Sequence, residues 1–158
     1  MMIHLASQNS QSQLSTFEPG DVQPNAIDLR LDTVHSMNEE IFVINEHTKQ
    51  HRGSTPVETD YEDNYFLQPG VYEIVMQGEI TLGENEAGFV ITRSTLNRNG
   101  LYITSGLYDS GYQGVMAGAL HVTQGEAVIK KGTRVGQFLL WKAESLGLYD
   151  GDYGKGTE

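Results

Sequence analysis

Short apolar runs, broken by polar stretches rich in Gly, Asn, Thr and charge, set the pattern of this chain. Ala26 to Leu31 (AIDLRL) alternates apolar and polar positions after Pro24, which predicts a strand. Ile41 to Ile44 predicts another. Tyr65 to Leu67, a Pro-Gly turn at Pro69-Gly70, and Val71 to Met76 together read as strand, turn and strand. Glu79 to Leu82, Ala87 to Thr92, Leu101 to Ile103, Val115 to Thr123, Ala127 to Ile129 and Arg134 to Trp141 complete the strand set. The one helical signal is a turn or two at Ser94 to Asn99. Residues 6–16 are polar and read as flexible, and Glu46 to Asp63 reads as an exposed loop or loose hairpin. Short strands between tight turns predict an all-β domain: a sandwich, barrel or jelly roll.

Composition narrows the class. A chain of 158 residues can bury a core without covalent staples, and it has no cysteine, so disulfides and thiolate metal sites are excluded. That suits a reducing cytoplasm, which is the expected location. No apolar run approaches the roughly 20 residues needed to cross a bilayer, and the N-terminus does not read as a signal peptide. The formal net charge of −11 argues against nucleic acid and anionic lipid as partners. Any nucleotide would need the few cations gathered at one place.

Two stretches carry candidate chemistry. In RSTLNRNGL, Arg93 to Leu101, an arginine precedes two hydroxyl residues at the predicted start of a short helix. Free N–H groups there favour anions, Ser94 and Thr95 add hydroxyl donors, and the planar fork of Arg93 matches phosphate oxygens. A surface ion pair is the ordinary alternative for Arg93. In GLYDSGYQG, Gly106 to Gly114, Asp109 is a lone carboxylate in a turn between two strands. It is either turn chemistry or a general base for water. His47 and His51 are four apart, but their segment has no helical apolar face, so a metal site is not expected there. Phe138, Leu140 and Trp141 read as core or subunit interface.

These stretches resemble signature motifs of the dUTP pyrophosphatase (dUTPase) and dCTP deaminase superfamily. Five motifs occur in order, spanning residues 24–156. They are PNAIDLRL with Asp28 at its acidic position, RSTLNRNGL, GLYDSGYQG, KGTRVGQ (Lys131 to Gln137), and the Gly-rich tail GDYGKG (Gly151 to Gly156). The first two lean towards the deaminase style. The resemblance implies a jelly-roll-like distorted β-barrel over residues 1–150, with a flexible C-terminal arm over 151–158, assembled as a homotrimer. It implies hydrolysis of dUTP to dUMP and pyrophosphate, with Mg²⁺ held mainly by triphosphate and water. Asp109 would activate the water. Arg93, Ser94, Thr95, Arg98 and Gln137 would bind phosphates, and Tyr112 would pack on deoxyribose and reject a 2′-hydroxyl. Tyr153 would stack on the base, Lys155 would add a donor at the phosphate end, and Asp28 would support the site. Backbone groups of the hairpin before Asp109 would read the base edge, and Ile103 stands where ordinary dUTPases often carry asparagine, so uracil and cytosine both stay open as the base.

The same resemblance holds an alternative. Deaminases of this superfamily use a serine and an arginine in the second motif, matched by Ser94 and Arg98, plus a glutamate about ten residues beyond the third-motif aspartate. Here that count reaches Ala119, and alanine cannot shuttle protons. The chemistry expected is therefore pyrophosphate cleavage, with dCTP as well as dUTP open as a substrate. A further alternative from a different class is a nucleotide-binding regulator that engages a protein partner through Glu46 to Asp63.

Overall fold

The computed structural model describes residues 1–154. Strands β1 (Met2–Ile3) and β2 (Gln13–Leu14) lead to a single 3-10 turn at Pro19–Asp21. Then follow β3 (Ile27–Met37), β4 (Val43–Ile44), β5 (Lys49–Gln50), β6 (Ser54–Pro56), β7 (Asn64–Leu67), β8 (Gly70–Thr81) and β9 (Glu86–Thr92). The short helix α1 (Ser94–Arg98) precedes β10 (Leu101–Thr104), β11 (Gln113–Val122), β12 (Ala127–Lys130) and β13 (Arg134–Lys142). The all-β expectation is met, with one correction: Val71 to Met76 and Glu79 to Leu82, read as two strands, run together in the single strand β8.

The main sheet runs β1-β13-β3-β8-β11-β10, with β9 paired to β13, β2 to β8 and β6 to β3. This hydrogen-bonded path is open at β1 and β10, so the expected barrel does not close. Two small ladders, β12-β7 and β4-β5, stand apart. Ile27, Leu29, Leu31, Ile74, Met76, Ile80, Met116, Leu120, Phe138 and Leu140 form the heart of the core. Phe138 and Leu140 thus fall in the core, while Trp141 is half-buried and stacks on Phe89 at 5.2 Å.

One bulge bears directly on function. Between Arg134 and Gly136, β13 advances two residues while β3 advances one, from Arg30 to Leu29. Residues three apart on a regular strand face opposite ways; the extra residue puts Arg134 and Gln137 on the same face. Both then reach Asp28.

The N-terminal segment departs from its sequence reading. Residues 6–16 are held in place: Leu14 and Ser12 are buried, and β2 pairs with β8. The cause is distant in sequence. The carboxylate of Glu86, fully buried in β9, accepts from the Gln11 N–H, from Ser12 Oγ at 2.6 Å and from Lys142 Nζ at 2.5 Å. Glu46 to Asp63 is largely exposed, as expected; β5 closes a small hairpin with β4, and β6 extends the sheet beside β3.

Candidate active site

Asp28 is the hub of the first cluster. Its side chain is buried in β3, where a bare carboxylate would be costly. Gln137 Nε2 donates to one oxygen at 3.0 Å, and Arg134 Nη1 donates to the other at 3.3 Å. Arg93 Nε lies 3.6 Å from that second oxygen. Arg93 sits in extended conformation at the N-cap of α1, with its own N–H bonded to Val135 O. Ser94, Thr95 and Arg98 follow on the exposed surface of the helix. The first, second and fourth motifs, far apart in sequence, therefore meet at one buried carboxylate.

The 3-10 turn beside this cluster is pinned by a second pair. Arg30 donates to both oxygens of buried Asp21, at 3.0 and 2.8 Å, and to Gly132 O. Burial pushes the Asp21 carboxyl up, but the hydrogen bonds from Arg30 and the Glu18 N–H outweigh it and hold its pKa below the ordinary value. Arg134 also donates to Gly20 O, which ties this turn to the Asp28 hub.

Asp109 opens a four-residue turn closed by Tyr112 N–H donating to Asp109 O at 3.0 Å. Gly111 takes the third place with φ +82°, the left-handed conformation that favours glycine. The turn is braced from below. Ser110 Oγ donates to Glu86 O at 2.7 Å and lies 2.5 Å from Ser145 Oγ, while Tyr149 N–H donates to Ser110 O. Asp109 itself is exposed, and its carboxylate makes no hydrogen bond or ion pair among the described residues. The bracing groups, including Ser145 and Tyr149 in the segment after β13, had no local signal in the sequence.

Tyr112 is buried, and its hydroxyl donates to Val115 O at 2.6 Å. Tyr108 and Tyr149 each pack edge-on against its ring at 5.0 Å. Burial, with smaller contributions from Tyr108, Tyr149 and Glu79, pushes its pKa up to about 12, so the phenol stays neutral. The three tyrosines wall a cleft of about 550 Å³ whose floor is Ala117, Gly118 and Ala119 and whose rim includes Tyr153 and Glu73. That volume suits a drug-sized ligand. Asp109 lines a neighbouring cleft, and Leu107 and Tyr149 form walls of both.

The predicted site residues thus fall into two groups. Arg93 and Gln137 meet at Asp28, where Arg134, which the sequence did not single out, joins them, and Ser94, Thr95 and Arg98 lie beside them on α1. Asp109, Tyr112 and Tyr153 gather around the paired clefts. The lining of these two clefts includes no member of the first group. Lys155 lies outside the described residues. Ile103 is buried, and its N–H is taken by Thr92 Oγ1 at 2.8 Å.

An open β fold with a cation-ringed buried carboxylate and an aromatic cleft beside an exposed aspartate defines a candidate small-ligand enzyme. The family model described as dCTP deaminase-like matches residues 2–143, and the chain belongs to that family. Among curated relatives, it is 34% identical to a probable deoxyuridine 5′-triphosphate nucleotidohydrolase of Halobacterium salinarum, covering 84% of this chain and 82% of that protein. It is 30% identical to a dUMP-forming dCTP deaminase of Salinispora arenicola, covering 86% of this chain and 74% of the relative. The fold is similar to 2′-deoxycytidine 5′-triphosphate deaminase from Agrobacterium tumefaciens, with TM-score 0.63 at 16% identity. That match covers 82% of this chain, which spans only 43% of the deaminase chain.

Proposed function

We propose that this protein is a dUTP diphosphatase that works as a homotrimer, converting dUTP and water to dUMP and pyrophosphate. The observation that carries the reading is the exposed, unpaired carboxylate of Asp109, held on a braced turn beside the tyrosine-walled cleft. The identity to probable dUTP nucleotidohydrolases supports it. The nucleoside occupies the cleft with its sugar against Tyr112. Asp109 takes a proton from water as the water oxygen attacks the α-phosphorus. The bond from that phosphorus to the α–β bridging oxygen breaks, and pyrophosphate leaves.

Arg93, Ser94 and Thr95 at the start of α1, with Arg98 and Gln137, bind the phosphates. Asp28 holds Arg93 and Gln137 in place and takes no part in the chemistry. Because these donors and the Asp109 clefts form separate groups on one chain, assembly is the proposed way of completing the site. One subunit supplies the phosphate donors and another supplies the cleft. The arm 151–158 closes over bound nucleotide, with Tyr153 at the base and Lys155 at the phosphate end.

Among the described residues, no three acidic or histidine side chains converge as metal ligands. A triphosphate supplies hard oxygen ligands of its own, which fits Mg²⁺ held by substrate and water. The ion would neutralise charge on the leaving pyrophosphate. The deciding experiment is a panel of deoxynucleoside triphosphates with Mg²⁺, scored separately for pyrophosphate and ammonia. Pyrophosphate from dUTP is the expected result. Its absence from a folded, assembled preparation would overturn the assignment.

A further inference from the structure

Antiparallel register puts four side chains in one row across the sheet. His35 on β3 pairs with Glu73 on β8, Glu73 with Ala119 on β11, and Ala119 with Thr104 on β10. Directly opposed residues project from the same face, with Cβ atoms about 5 Å apart. Glu73 and Ala119 also line the same cleft as Tyr112. Next to Glu73 the floor is Ala117, Gly118 and Ala119, none larger than a methyl group. Nothing bulky on β11 separates the Glu73 carboxylate from the cleft.

The carboxylate is also uncommitted. It makes no hydrogen bond or ion pair among the described residues. His35, its neighbour on the other side, has its ring Nε2 engaged with Thr33 Oγ1 at 3.2 Å. Glu73 is exposed, so its side chain can swing between solvent and cleft.

An ionised carboxylate accepts hydrogen bonds and donates none. Of the two natural pyrimidines, cytosine presents an amino group at position 4 and uracil presents a carbonyl oxygen. A carboxylate at the base edge attracts the first and repels the second. We propose that Glu73 is a specificity-determining residue that admits cytosine nucleotides to the cleft, making dCTP a second substrate for the same cleavage, to dCMP and pyrophosphate. The inference rests on the assignment of the cleft to the nucleoside. With uracil bound, the side chain retracts into solvent, so dUTP is still accepted.

The test compares wild type with Glu73→Gln, an exposed, near-isosteric change. Gln keeps an acceptor but adds an amide donor and removes the charge. The ratio of kcat/KM for dCTP to that for dUTP should fall about tenfold, through loss with dCTP and gain with dUTP. Calorimetric binding of the α,β-imido analogues of dCTP and dUTP should show the same shift without turnover. An unchanged ratio in both measurements, or equal losses for both nucleotides, would overturn the role of Glu73. Wild-type protein that cleaves dUTP but neither binds nor cleaves the dCTP forms would overturn it too, while sparing the dUTP reading. If neither analogue binds and neither nucleotide is cleaved, both proposals fall together.

Discussion

Gln137 and Asp28 face each other in register across β13 and β3, and the Gln137 amide donates to the Asp28 carboxylate at 3.0 Å. Arg134 and Arg93 share that carboxylate. Asp28→Ala would leave two cations and an amide without their common acceptor. We expect it to cost about 2 kcal/mol of stability, measured by urea unfolding. KM for dUTP should also rise more than kcat falls, because Arg93 and Gln137 lose their positions. A stable variant with unchanged KM would show that the hub is unrelated to binding.

Asp109 has the opposite profile. It is exposed and its carboxylate is unpaired, so Asp109→Asn should leave stability within about 0.5 kcal/mol. Turnover of dUTP should drop by about two to four orders of magnitude, the usual worth of a general base, with substrate binding retained. Single-turnover kinetics alongside calorimetry separates the two effects. Near-wild-type kcat would remove Asp109 from the mechanism.

Glu86 predicts acid sensitivity. Burial pushes its carboxyl up, but the hydrogen bonds from Lys142, Ser12 and the Gln11 N–H outweigh burial and hold the folded pKa below the ordinary value. Asp21 is lowered in the same sense by Arg30 and the Glu18 N–H. A depressed folded pKa means the stabilisation is present above the unfolded pKa, about 4 for these groups, and is lost as pH falls through the folded values. Melting temperature should hold down to about pH 5 and fall below about pH 4. In Glu86→Gln that acid-side slope should be shallower. An identical slope would mean other carboxylates set it.

The nucleotide panel gives a sharp negative. No ammonia should be released from dCTP, because Ala119 cannot move a proton at the cleft floor and Glu73 is assigned to binding alone. UTP should be cleaved about a hundredfold less efficiently than dUTP, because the ring of Tyr112 would meet a 2′-hydroxyl. Ammonia from dCTP would require an acid–base group not assigned here.

The tail should matter to catalysis more than to assembly. Tyr153 lines the cleft, its N–H donates to the Tyr149 hydroxyl, and Asp152 pairs with Lys49 Nζ at 2.7 Å. Ending the chain before Gly151 should preserve the oligomer by light scattering and lower kcat/KM for dUTP. Hydrogen exchange should show the arm more protected with the imido-dUTP analogue than without it. Equal protection in both states would argue against closure.

The all-β class, most strand positions and the five motifs were legible locally. Alternation along AIDLRL, the Pro-Gly turn before Val71 and the Asp-Ser-Gly turn each act over a few residues. Gly111 shows how far such a signal reaches, since the turn after Asp109 uses its left-handed φ. Motif spacing likewise marked Arg93, Asp109, Tyr112 and Gln137 as candidate site residues. What it left open was how pairing would arrange them. Residues 6–16 read as flexible because their partner, the Glu86 carboxylate, lies more than seventy residues away. The meeting of Arg134 with Gln137 at Asp28 depends on a bulge, which inverts the facing that simple alternation would give. The placing of Glu73 opposite Ala119 is a matter of strand register, set by packing of the whole sheet. Turns and alternation are short-range and written in sequence; register, burial and shared acceptors are long-range, and only the folded sheet decides them.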